Sequence, residues 1–217
     1  IEGWHLFEEA VQAGVTIEKI FALENYRDQL AAFPQTIWAS EEILLDLADT
    51  QTPQGIVAVI QKEEIGLPDF RQGKFLFLEE VQDPGNVGTM IRTADAAGFT
   101  GVIVSDKSAD IYSLKTLRSM QGSHFHLPIY RMPLATFVEE AKKSDLPILA
   151  TTLSRESKDY RELSSLENFV LVMGNEGQGI SSVMAESADQ LVHIGMKGRA
   201  ESLNVAIAAG ILMFYFS

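Results

Sequence analysis

The sequence predicts an α/β fold: a mostly parallel sheet with helices on both faces, preceded by a small α/β unit. Three observations predict it. Short continuous apolar runs, such as Phe169-Val170-Leu171-Val172-Met173, alternate with stretches of helical period. That is the pattern of strands buried on both faces and joined by crossover helices. A hydrophobic content of 46% in 217 residues is enough for one large core or two small ones. No apolar run reaches the ~18 residues of a membrane span, so the most apolar segment, residues 207–216, reads as a buried helix.

The elements follow in order. Residues 6–13 have a helical pattern, 19–23 a strand pattern and 41–47 a helical one. The turn "TQTPQG" at 50–55 carries Pro53 and Gly55 and leads into the apolar strand 56–60. Residues 1–62 therefore form the small unit. The charged stretch 63–73, with Gly66, Pro68 and Gly73, reads as a linker, and 74–217 as the larger domain. Within it, strands are expected at 75–78, 101–105, 126–130, 147–151, 169–173 and 190–194. Helices are expected at about 87–98, 112–121, 134–143, 180–186 and 203–216. In such sheets, ligands bind beyond the carboxyl ends of the strands.

Composition narrows the class. Cysteine is absent, which excludes disulfides and thiolate metal ligands and fits a reducing cytoplasm. The chain opens at Ile1 with neither methionine nor a signal pattern, so a native N-terminal segment is expected to be missing. The formal net charge is −13, which weighs against nucleic-acid binding, where phosphate contacts dominate affinity. Residues 1–72 carry 13 acids and 4 bases, against 17 and 13 in the remainder.

Three stretches carry chemistry. In "DPGNVGTMIRTADAAGF" (83–99), Asp83-Pro84-Gly85 makes a turn and Asn86 can cap the helix that follows. Met90, Ala94 and Ala97 share a face for the sheet; Thr89, Arg92 and Thr93 share another. Arg92 either pairs with Asp95 or Asp83 as a solvated residue, or presents its guanidinium fork beyond the strand ends, where phosphate suits it. In "GNEGQGI" (174–180), three glycines follow a strand and let a flat group or backbone come close. The spacing fits neither a dinucleotide fingerprint nor a P-loop. Glu176 is either a surface charge or a support for Arg92. In "HIGMKGRAESLNVAIAAGILMFYF" (193–216), a basic glycine loop precedes a helix apolar nearly all round, expected to be deeply buried. Ser202 can cap that helix, and Asn204 needs polar partners there. His124 and His126, two apart on the expected strand, face one side and read as structural histidines; no metal-ligand cluster is apparent.

Together these stretches resemble the SpoU/TrmH family of RNA ribose 2′-O-methyltransferases, within the SPOUT superfamily. The family's first motif matches Asn86, Gly88 and Arg92, its second Gly174, Glu176 and Gly179, and its third Ser202, Leu203, Asn204 and Val205. "LRSMQGSHFHLPI" (117–129) is similar to the segment between the first two. Residues 1–62, closing on "TPQG", resemble the family's substrate-binding domain. The resemblance implies a trefoil knot near the C-terminus and S-adenosylmethionine bent into the knot loops. Leu153, Gly174, Ile194, Met196 and Leu203 would supply backbone bonds and apolar walls, with Thr152 a weaker candidate. It also implies a homodimer in which each RNA site is completed by the partner subunit.

The implied reaction is attack of a ribose 2′-hydroxyl on the sulfonium methyl. The family's usual proposal makes the motif arginine, here Arg92, the base. An arginine side chain titrates above ~12, so Arg92 is expected instead to clamp phosphate and stabilise the forming alkoxide. Asn86, Ser202 and Asn204 would position the hydroxyl and the loops, and Glu176 would hold them. RNA affinity would come from local cations: Lys107, Lys115, Arg118, Arg131, Lys197 and Arg199 around Arg92. Ribosomal RNA is the favoured substrate. The alternatives are transfer RNA, a non-catalytic RNA-binding or assembly factor of the same fold, or a small-molecule enzyme with a nucleotide ligand. The full set of motif residues disfavours the binder, and the lack of a phosphate loop disfavours the last.

Overall fold

The computed structural model describes residues 1–48, 52–62, 65–164 and 166–217. The small unit is a three-stranded sheet in the order β2-β1-β3, with β1 at Ile17–Ala22, β2 at Thr36–Trp38 and β3 at Ile56–Ile60. Strand β1 runs parallel to β2 and antiparallel to β3. Helix α1 (Trp4–Gln12) buries Leu6, Phe7 and Ala10, and Phe7 joins Ile20, Ala22, Ile56 and Ala58 in a small core. Helix α2 (Glu41–Leu47) is capped by Ser40, whose side chain accepts from the Ile43 N–H. The turn expected at 50–55 lies partly outside the described residues, as does part of the 63–73 linker. The end of that linker belongs to the larger core: Phe70 is buried and packs edge-on against Phe75 and Phe137.

The larger domain is a seven-stranded sheet, order β6-β5-β4-β9-β7-β10-β8, with every pairing parallel. Its strands are β4 (Lys74–Leu78), β5 (Gly101–Val104), β6 (Ile129–Arg131), β7 (Ile148–Thr151), β8 (Lys158–Asp159), β9 (Phe169–Met173) and β10 (Gln190–His193). Alternate residues of β4 point to opposite faces. Leu76 and Leu78 meet helices α3 (Pro84–Ala96), α4 (Leu114–Met120) and α7 (Val205–Phe216); Phe75 and Phe77 meet α5 (Leu134–Lys143) and α6 (Ser182–Ser187). Both faces are covered, which is why β4 and β9 read as unbroken apolar runs. No described helix is long and apolar enough to cross a membrane.

Four local expectations are corrected. The strand expected at 126–130 begins only at Ile129. Residues Ser123–Phe125 form a 3-10 turn after Gly122, whose φ of 92° suits glycine. His124 and His126 therefore do not share a strand face. The first motif helix is capped by Asp83, which accepts from the Asn86 N–H at 3.0 Å, and it starts at Pro84, a favoured first position. The last helix is capped by Asn204 and not by Ser202. That helix is also only half buried. Ala206, Ala209, Leu212, Met213 and Phe216 face the core, while Ile207 and Phe214 are 57% and 59% exposed and Ile211 and Tyr215 lie beside them. Its all-round apolarity serves a buried face and an open one.

Candidate active site

The carboxyl ends of β7, β9 and β10 converge on a cavity of about 450 Å³. That is within the ~300–1,000 Å³ usual for small-molecule sites. The loop after β9 forms one wall. Asn175 and Gly179 exchange backbone hydrogen bonds at 3.0 and 2.9 Å, and the Asn175 side chain accepts from the Gly177 and Gln178 N–H groups. Gly174 is obligatory here, because a Cβ on it would stand 2.3 Å from the Gly179 carbonyl carbon.

The loop is tied to the rest of the site from both sides. Asn175 donates to the Glu80 carbonyl at 2.8 Å. Buried Glu79, at the end of β4, accepts from the Ser181 N–H at 3.1 Å. Glu176 reaches the start of α3: its carboxylate accepts from the backbone N–H groups of Gln82 and Asp83, each at 3.0 Å, and from the Asn86 amide at 3.1 Å. The Asn86 oxygen in turn accepts from the Asn204 amide at 3.0 Å, and the Asn204 oxygen accepts from the Ala206 and Ile207 N–H groups that open α7. One hydrogen-bonded chain thus joins the three stretches. Partial burial opposes the charge on Glu176, but the three donors outweigh it and hold the carboxyl below its usual range.

Gly88 has a separate reason. A Cβ there would meet Ser119 Cβ at 2.5 Å and the Thr116 carbonyl at 2.6 Å, so it permits α3 and α4 to cross closely.

Each predicted residue can now be placed. Leu153, Gly174, Ile194, Met196 and Leu203 all line the cavity, as do Thr152, Glu176 and Ser202. Ser154, Gln178 and His193 line it too and were not foreseen; Ser154 and Gln178 sit in the loops after β7 and β9, and His193 ends β10. Arg92 lies six residues beyond Asn86 on α3 and is exposed. Its two candidate partners are taken: Asp95 bonds His126 and Asp83 bonds Lys115. Among the described residues Arg92 has no hydrogen bond or ion pair. Glu176 supports Asn86, not Arg92.

The proposed RNA-facing cations divide. Lys115 pairs with Asp83 at 3.0 Å, Arg118 with buried Glu2 at 3.3 Å, and Lys107 with Glu80 at 2.8 Å. Arg131 donates to the carbonyls of Ser105, Asp106 and Ala109. Lys197 and Arg199 stand exposed in the loop between β10 and α7.

The site fits S-adenosylmethionine by the chemistry of its lining: exposed backbone at the strand ends, apolar walls from Leu153, Met196 and Leu203, and a glycine cradle at 174–179. Known proteins agree. Residues 73–214 match the SpoU rRNA methylase family, and residues 1–65 match the RNA 2′-O ribose methyltransferase substrate-binding family. The 23S rRNA (guanosine(2553)-2′-O)-methyltransferase RlmP of Bacillus subtilis is 42% identical over 217 residues, covering 99% of this chain and 86% of the relative. An AdoMet-bound rRNA methyltransferase from Sinorhizobium meliloti superposes with a TM-score of 0.87 at 33% identity, over 99% of this chain and 84% of that one. The SpoU methyltransferase AviRb from Streptomyces viridochromogenes, in complex with AdoMet, gives 0.84 at 29% identity, over 99% and 87%. The hydrogen-bonded chain through Glu176, Asn86 and Asn204, the cavity beside it and the match along both domains establish that this protein belongs to the SpoU rRNA methylase family.

Proposed function

We propose that the protein methylates a ribose 2′-hydroxyl of ribosomal RNA, with S-adenosylmethionine held in the cavity between the 174–180 loop and α7. The observation that carries this is the junction of all three motif stretches at one wall of that cavity, through Glu176, Asn86 and Asn204. The relatives' activity on rRNA and the AdoMet-bound structures support it.

S-adenosylmethionine supplies an electrophilic methyl group. The ribose oxygen forms a C–O bond as the C–S bond breaks, S-adenosylhomocysteine leaves, and the hydroxyl proton passes to solvent or a nearby acceptor. The protein's part is positioning and charge. Leu153, Gly174, Ile194, Met196 and Leu203 hold the donor. Asn86, Ser202 and Asn204 fix the motif loops and the hydroxyl, and Glu176 locks Asn86. Arg92, with its guanidinium free in the protomer, clamps phosphate and stabilises the developing alkoxide. Lys115, Arg118, Lys197 and Arg199 border the RNA path, the first two after exchanging their carboxylate partners for phosphate. Residues 1–62 form the substrate-binding domain and 74–217 the catalytic one, with 63–73 linking them and a trefoil crossing at the C-terminal end.

The open face of α7, with Ile207, Ile211, Phe214 and Tyr215, supports a homodimer built on that helix. The setting of such a reaction is the cytoplasm. Incorporation of tritiated methyl into unmodified ribosomal RNA tests the reading, with transfer RNA as the comparison. Label in transfer RNA alone would replace the substrate; S-adenosylmethionine bound without label in either RNA would favour a binding factor.

A further inference from the structure

The eight arginines of the chain sort into two groups. Arg27, Arg71 and Arg161 each bond a carboxylate two or three residues away, Arg118 pairs with Glu2, and Arg131 is spent on three carbonyls. Among the described residues, only Arg92, Arg155 and Arg199 have no hydrogen bond or ion pair. Arg155 and Arg199 lie in loops that supply lining residues of the cofactor cavity, and Arg92 lies on α3. Arg92 shares α3 with Asn86, and Arg199 lies between the lining residues Met196 and Ser202. Arg155 follows the lining residues Leu153 and Ser154.

Arg155 is held by a built turn. The Ser154 carbonyl accepts from the Ser157 N–H at 3.2 Å and from its hydroxyl at 2.6 Å, so Arg155 and Glu156 are the two central residues. The Ser157 hydroxyl also bonds His193 Nδ1 at 3.0 Å, which ties the turn to the end of β10 and to the cavity wall. Arg155 is exposed on it, and Glu156 does not pair with it. In a chain of net charge −13, five of the eight arginines are held by internal partners. An arginine left free on an anchored turn beside the reaction site is placed to meet an anion from outside.

We propose that Arg155 contacts a backbone phosphate of the RNA substrate. The proposal rests on the methyltransferase reading of the cavity and adds a residue to it. A guanidinium at the rim complements a polyanion, and the turn fixes where along the strand it acts.

Filter binding of an unmodified ribosomal RNA transcript across a salt titration tests it, using wild-type protein, Arg155→Gln, Arg155→Lys and Lys142→Gln. Lys142 is an exposed cation on α5, without a partner among the described residues and across the sheet from α3 and α7. Arg155→Gln is expected to weaken binding about five- to tenfold and to reduce the log–log salt slope by about 0.7–0.9. Arg155→Lys should recover most of the loss and Lys142→Gln should change nothing. S-adenosylmethionine affinity by calorimetry should stay within twofold for Arg155→Gln. Unchanged RNA affinity and slope in Arg155→Gln would overturn the proposal. So would an equal loss in Lys142→Gln, a loss of donor affinity, or a shift in oligomeric state, which would give Arg155 to the partner subunit. If wild-type protein neither binds S-adenosylmethionine nor labels RNA, the methyltransferase reading falls and this one with it; active wild type with an unaffected variant overturns only the role of Arg155.

Discussion

Asn86 shows how one side chain can tie distant parts of a chain together. Its amide donates to Glu176, 90 residues away, and its oxygen accepts from Asn204, 118 residues away. The sequence names all three residues but puts Asn86 and Ser202 at helix caps and leaves Glu176 open between a surface charge and a support for Arg92; only the family resemblance has it hold the motif loops. Capping is a local competition, and Asp83 and Asn204 win it because each sits one residue before its helix with its oxygen over the N–H groups two or three residues on. Glu176 bonds three donors at the start of α3, and such long-range pairings leave no trace in residue spacing. Among the described residues Arg92 lacks an internal partner because its neighbours' carboxylates are engaged elsewhere. Arg92→Lys keeps the charge and loses the planar fork. It should lower the methyl-transfer rate by about 10²–10³-fold with S-adenosylmethionine affinity unchanged; nearly full activity would remove the fork from the mechanism. Glu79→Leu removes the acceptor for the Ser181 N–H, loosening the glycine loop from the α6 side. Its expected signature is a raised KM for S-adenosylmethionine, with the rate recovering at saturating donor.

Among the elements, legibility followed length and burial. Strands β4 and β9 were read nearly to the residue because both of their faces are buried. Strands β2 and β8, of three and two residues, are too short to carry a period. The turn at Ser123–Phe125 was mistaken for part of a strand because "HFHLPI" alternates apolar and polar residues while Gly122 and Pro128 dictate the backbone. That turn matters to domain coupling. His126 bonds Asp95 of α3 at 3.1 Å and Glu9 of α1 at 2.8 Å, bridging the two domains. The bond to Asp95, joined by that to Glu9, raises its pKa above the ordinary 6.5 against a modest burial penalty. The folded state therefore binds this proton more tightly. The stabilisation is fully present below about pH 6.5 and fades as pH rises through the raised value. His126 is 47% exposed, so the effect is small. Wild type should lose slightly more thermal stability than His126→Gln between pH 6 and pH 9 (roughly the window of that titration); parallel profiles would deny the bridge an energetic role. His124 acts in the opposite window. Burial pushes it down to about 4, so its neutral form is favoured and stability falls as pH drops from 6.5 towards that value.

For the whole molecule, the parallel sheet, the small leading domain and the location of the site beyond the strand ends were all legible. The sequence leaves α7 open between core and interface, because apolar residues suited to either look the same. On the proposed homodimer, with each site completed by the partner, Ile207→Glu should yield a monomer by sedimentation and abolish methylation; an active monomer would contradict the shared site. The charge of −13 is reconciled with RNA by distribution. Lys107, Lys115, Arg118 and Arg131 are held by internal partners, and among the described residues Arg92, Arg155 and Arg199 keep free guanidinium groups. RNA affinity should therefore fall steeply with salt.

The most direct measurement is a crystal structure of the protein with S-adenosylmethionine bound. The account predicts adenine and ribose against the backbone of Gly174, Ile194 and Leu203, with the methyl turned toward an Arg92 guanidinium of the assembled dimer. Donor density outside the cavity walled by the 174–180 loop and α7, or every Arg92 directed away from the methyl, would contradict it.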